Sequence, residues 1–89
     1  MERQWLQVAL AKSQLLSVQA DRALYTQAVS GTHWISADGV DYLIGPGEQL
    51  KLSAGLALID GEGLLQLRSA GRRIDGRPWR SRLLKINVY

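Results

Sequence analysis

The feature that most constrains this 89-residue chain is a regular run of short apolar segments divided by glycine-containing turns. From Leu15 onward the segments 16–20, 23–29, 33–36, 40–44, 49–52, 56–59 and 64–68 follow one another. They are broken at Ser30-Gly31, Ala37-Asp38-Gly39, Gly45-Pro46-Gly47, Ser53-Ala54-Gly55 and Asp60-Gly61-Glu62-Gly63. Short strands at that spacing, with glycine where a turn needs positive φ, are the pattern of an all-β sandwich or barrel. Several segments alternate with period two. Leu16, Val18 and Ala20 oppose Ser17 and Gln19; Val40, Tyr42 and Ile44 oppose Asp41 and Leu43; Leu50 and Leu52 oppose Gln49 and Lys51. Connections this short leave no room for crossover helices, so the strands are expected to be antiparallel and joined as β-hairpins. The expected fold is all-β, a small antiparallel barrel or sandwich of about seven to eight short strands.

The chain is expected to form one domain over residues 1–89, because a chain of this length has one core. Residues 1–14 form an N-terminal segment, 15–69 the β body, 70–82 a basic loop and 83–89 a last strand. Residues 2–12 are rich in Gln, Leu, Ala and Lys, which favours a short N-terminal helix. Leu6, Val8 and Leu10 also alternate with Gln7 and Ala9 as a strand would, but helix is the reading adopted. At the other end Leu84, Ile86 and Val88 alternate with Lys85 and Asn87. Residues 70–78, with Gly71 and Gly76, show no apolar period.

Composition removes whole classes of chemistry. Hydrophobic residues at 46% and charged residues at 21% fit a globular domain and not a disordered one. With no cysteine there is no disulfide, zinc knuckle, iron–sulfur ligation or thiol catalysis. A single histidine, His33, excludes any metal site needing two imidazoles from one chain. No cofactor is expected. No apolar run approaches the roughly 18 residues of a membrane span, and residues 1–12 are too short for a secretory signal. The expectation is a cytoplasmic protein with no membrane partner.

Net charge is +3, but it is unevenly placed. Residues 1–67 carry four basic and seven acidic side chains, a balance of −3; residues 68–89 carry seven basic against Asp75 alone, a balance of +6. Arg72, Arg73, Arg77, Arg80 and Arg82 surround Trp79. Arginines interleaved with an aromatic are what single-stranded nucleic-acid grooves use, the cations tracking phosphates while the ring stacks on a base. Arginine and tryptophan also favour protein–protein contacts. The plainer reading is a solvated basic face that neutralises the acidic body.

The stretch Gly31, Trp34, Ser36, then Asp41 and Leu43, then Gly47-Glu48 with Leu50 and Leu52, resembles the small bacterial proteins grouped as domain of unknown function 2917. The resemblance spans residues 15–67. Two departures stand out: Asp41 and Leu43 lie one residue closer than in that pattern, and His33 occupies a usually apolar place. The resemblance implies a cupin-like β-barrel. Cupins that do chemistry hold a metal with several histidines and a glutamate, and this chain lacks that set.

His33 is the one side chain that ordinarily titrates near neutrality, and Ser36 and Asp41 complete a Ser/His/Asp set on paper. If Asp38-Gly39 is a two-residue hairpin turn, Ser36 lies opposite Asp41 and His33 opposite Ile44, which puts His33 on the other face; a three-residue loop would change that parity. No nucleophile motif surrounds Ser36, so a cross-strand hydrogen bond between Ser36 and Asp41 is the simpler expectation. Trp34 shares their face with Leu43, either as core packing, the simpler reading, or as an interface or ligand-stacking surface. Gly45-Pro46-Gly47 lacks the Lys-Ser/Thr ending of a phosphate loop. Asp60-Gly61-Glu62-Gly63 is too short for calcium and reads as a hairpin turn.

These residues favour a non-enzymatic binding or interaction module that self-associates as a homodimer, with Trp34, Ser36, Asp41 and His33 as ligand or interface positions. Two alternatives differ in class. One is a nucleic-acid accessory protein using Arg72, Arg73, Arg77, Trp79, Arg80 and Arg82. The other is a metal-independent enzyme acting on a small anionic or sugar-like substrate with His33 as base.

Overall fold

The structure, a computed structural model, describes residues 5–69 and 84–89. Nine strands follow in order: β1 (Trp5–Leu10), β2 (Leu15–Ala20), β3 (Leu24–Ala28), β4 (His33–Ala37), β5 (Val40–Ile44), β6 (Gln49–Leu52), β7 (Gly55–Asp60), β8 (Gly63–Ser69) and β9 (Leu84–Val88). They build two antiparallel sheets, a four-stranded one in the order β1-β8-β3-β6 and a five-stranded one in the order β5-β4-β7-β2-β9. β1 pairs with β8, β2 with β7, β3 with β6 and β4 with β5. This nested pairing across two sheets is the arrangement of a jelly roll, with β9 added beside β2.

The expected N-terminal helix is absent. Residues 5–10 are strand β1, and Leu6, Val8 and Leu10 pair with Leu67, Leu65 and Gly63 of β8. Composition favours helix there, but a free partner edge on β8 and an alternating apolar face outweigh a propensity of a few tenths of a kcal/mol per residue. This strand takes the total to nine.

The expected run of hairpins is corrected as well. Only β4 and β5 are consecutive neighbours in one sheet; every other connection between described strands carries the chain from one sheet to the other. The β4–β5 turn has Asp38 at φ 55° and Gly39 at φ 74°, the type I′ geometry that matches strand twist. Gly45-Pro46-Gly47-Glu48 forms a type II turn. Pro46 occupies its second position, Gly47 its third at φ 86°, and the Glu48 N–H donates to the Gly45 carbonyl at 2.9 Å. That turn delivers β5 to the opposite sheet as β6. Asp60-Gly61-Glu62-Gly63 is likewise a corner between sheets. A Cβ on Gly61 would collide with the Thr32 carbonyl, and one on Gly63 with that of Ser30, so this corner packs against the β3–β4 connection only because both are glycine.

The core lies between the sheets. Leu16, Val18, Ile35, Ala57 and Ile59 of the five-stranded sheet face Leu10, Leu24, Leu52, Leu65 and Leu67 of the four-stranded one. The outer faces differ sharply. On the four-stranded sheet, Gln7, Gln66, Gln27 and Gln49 align in one row across all four strands. In the next row the Arg68 guanidinium lies 4.6 Å and the Lys51 ammonium 6.0 Å from the Tyr25 ring centre. On the five-stranded sheet, Trp34, Leu43, Leu56 and Leu58 stand exposed on the outer face at the β7-β4-β5 end, among Ser36, Asp41 and Asp60, while toward β9 that face carries Ser17, Gln19, Lys85 and Asn87.

Candidate functional site

The β4–β5 register is Trp34↔Leu43, Ser36↔Asp41 and His33↔Ile44. The two-residue turn therefore brings Trp34, Ser36, Asp41 and Leu43 onto one face and sends His33 to the other, as the sequence parity implies. β7 continues the face, with Asp60 beside Trp34 and Leu58 beside Ser36. Trp34 is 52% exposed, Leu43 63%, Leu56 54% and Leu58 37%. The core-packing reading of Trp34 is thus corrected: its strand is central, but its face is the outer one. Together these four side chains expose on the order of 400 Å² of mostly apolar surface in neighbouring rows, within the range that marks interaction surfaces.

The expected Ser36–Asp41 hydrogen bond is not formed; among the described residues none joins them. Both side chains stand in a polar notch between the Trp34–Leu43 pair and the turn. Their separation from His33 leaves no Ser/His/Asp relay.

His33 is fully buried. Its Nδ1 lies 3.2 Å from the Asp60 carbonyl oxygen and its Nε2 3.0 Å from that of Ser30. Carbonyl oxygens only accept and a neutral imidazole carries a single N–H, so the ring donates to one of these two carbonyls and packs against the other, lying between the β7–β8 corner and the β3–β4 connection. The same junction is closed by the Val29 N–H donating to the Leu64 carbonyl at 2.8 Å and the Leu64 N–H donating to Ser30 Oγ at 3.0 Å. A sealed ring facing two backbone acceptors is a structural post, not an accessible base. Among the described residues no group of three His, Cys, Asp or Glu side chains could hold a metal ion. Among the described residues there is no helix long and apolar enough to cross a membrane.

Sequence reasoning missed two exposed residues. Val40 and Tyr42 belong to the inward set of β5, yet they are 47% and 37% exposed. The five-stranded sheet is wider than its partner, so its edge overhangs the core. Counting apolar segments assigned to each face does not reveal this, because the mismatch appears only once the strands are sorted into sheets. Arg72, Arg73, Arg77, Trp79, Arg80 and Arg82 lie outside the described residues. No family model, curated protein or solved structure matches the chain.

Proposed function

We propose that this protein is a non-enzymatic binding and interaction module that works as a self-associated pair. The observation that carries the reading is the β4–β5 end of the five-stranded sheet, where apolar side chains stand exposed on both faces: Trp34 and Leu43 on one, Val40 and Tyr42 on the other. Among the described residues nothing covers either group. The glutamine row on the outer face of the opposite sheet supports the reading by contrast, since polar side chains there need no apolar cover. The nested strand pairing supports a cupin-like description, since cupins are jelly rolls. The sealed His33 ring favours binding over catalysis, although a fold by itself assigns no activity.

The test is the mass in solution at micromolar concentration, by light scattering. The expected result is twice the chain mass, and a monomer overturns the reading.

The nucleic-acid alternative has one structural foothold, the Tyr25 ring between Lys51 and Arg68 on the polar face. It requires oligonucleotide affinity that falls steeply between about 50 and 200 mM salt, and loss of that affinity when Arg72, Arg73, Arg77, Arg80 and Arg82 become glutamine.

A further inference from the structure

We infer that the two copies join edge to edge along β5, antiparallel about a twofold axis at Tyr42, so that two five-stranded sheets become one of ten. This deepens the self-association reading and rests on it.

Among the described strands β5 ends its sheet and pairs with β4 alone. The direction of its backbone groups follows from the turn. In the Ala37-Asp38-Gly39-Val40 turn the Val40 N–H donates to the Ala37 carbonyl, so Ala37–Val40 is a hydrogen-bonded pair. Antiparallel pairs alternate, which makes Ile35–Tyr42 and His33–Ile44 hydrogen-bonded pairs too. The backbone of Val40, Tyr42 and Ile44 is therefore spent on β4. The N–H and C=O of Asp41 and Leu43 point away from the sheet, two donors and two acceptors in a row. Natural edges are blunted by lysine, proline, bulges or cover. Within 40–44 the only such device is Asp41.

A second copy fits this row in one way. Three antiparallel registers let outward groups meet: Asp41 on Asp41, Leu43 on Leu43, or Asp41 on Leu43 with its reciprocal. The first sets like charges opposite each other, which is destabilising. The second would pair Asp41 with Gly45, but the Gly45 N–H already donates to Glu48 Oε1 at 2.7 Å and its carbonyl already accepts from the Glu48 N–H. The third uses all four outward groups of each copy and leaves the carboxylates diagonal. It centres on a non-hydrogen-bonded Tyr42–Tyr42 pair, the class in which facing side chains come closest. Val40 meets Ile44 of the second copy on the same face, so of the two overhanging side chains Tyr42 is covered by its own counterpart and Val40 by Ile44.

The chain has no cysteine, so single substitutions read the register directly. Under mild oxidation Tyr42→Cys is expected to be captured as a disulfide-linked dimer about tenfold faster than Val40→Cys, Asp41→Cys or Leu43→Cys, because only position 42 faces itself at bridging distance. Preferential capture at position 41 or 43 overturns the proposal. Asp41→Pro removes an outward donor while leaving every bond to β4 in place. It is expected to give a folded monomer by light scattering and circular dichroism, whereas Trp34→Lys, one strand inward, is expected to remain dimeric. A dimer that survives Asp41→Pro but is dissociated by Trp34→Lys overturns edge pairing and leaves self-association through the sheet face. A wild-type monomer overturns both. Should Asp41→Pro not fold, the cysteine set decides.

Discussion

Thr26 lies on the inner face of the four-stranded sheet, fully buried, and its hydroxyl has no hydrogen-bond partner among the described residues. Its β-branched shape suits a strand, but the oxygen contributes only a desolvation penalty. Thr26→Val keeps the shape and removes the penalty. It is expected to raise the unfolding free energy by about 1 kcal/mol, read as a higher urea midpoint at unchanged slope. His33 carries the opposite sign. His33→Leu fills the space but leaves one of the Asp60 and Ser30 carbonyls without its donor, and a loss of about 1–3 kcal/mol is expected in the same measurement. The side of the sheet on which His33 falls was readable from the parity of the Asp38-Gly39 turn. Its burial was not, because both acceptors come from other elements, and Asp60 stands 27 positions away. Gly61 was readable as a turn residue, but not as a contact surface for the Thr32 carbonyl.

The β4–β5 hairpin is the one pair of described strands built from consecutive partners, and its turn was legible as one of two loop lengths; the two-residue Asp-Gly connection is the one formed, with type I′ geometry and the register that follows from it. Asp38 holds a left-handed backbone that costs most side chains about 1–2 kcal/mol. Asp38→Ala is expected to lower stability by about 1 kcal/mol, while Asp38→Asn, whose side chain tolerates that region, is expected to leave the urea midpoint close to wild type. β1 taught the reverse lesson. Its helical composition was plain, and its alternation of Leu6, Val8 and Leu10 was equally plain; the decision lay with β8, more than fifty positions along the chain. A local window contains both signals and no information about which partner edge is open.

Across the whole molecule, strand positions and the inward faces of β2 and β6 were legible because a period of two survives whichever sheet a strand joins. The assignment of strands to sheets was not legible, since a turn that crosses between layers uses the same glycines as one that stays in its layer. The width mismatch that exposes Val40 and Tyr42, and the contrast between a glutamine row on one outer face and the exposed Trp34, Leu43, Leu56 and Leu58 on the other, follow from that assignment. An association made by backbone pairing and apolar cover is expected to keep its dimer fraction between about 50 and 500 mM salt, whereas contacts through exposed charge weaken over that span; sedimentation equilibrium at the two salt concentrations separates these cases. The nested pairing has a consequence for how the chain reaches this state. β4 and β5 meet across two residues, and each further pair, β3 with β6, β2 with β7, β1 with β8, begins where the previous one has already drawn its ends together. The entropy of closing long loops is thereby divided into short instalments. Folding would run outward from Asp38-Gly39 like a zip, so substitutions in that turn belong to the folding rate and those in β1 to the unfolding rate.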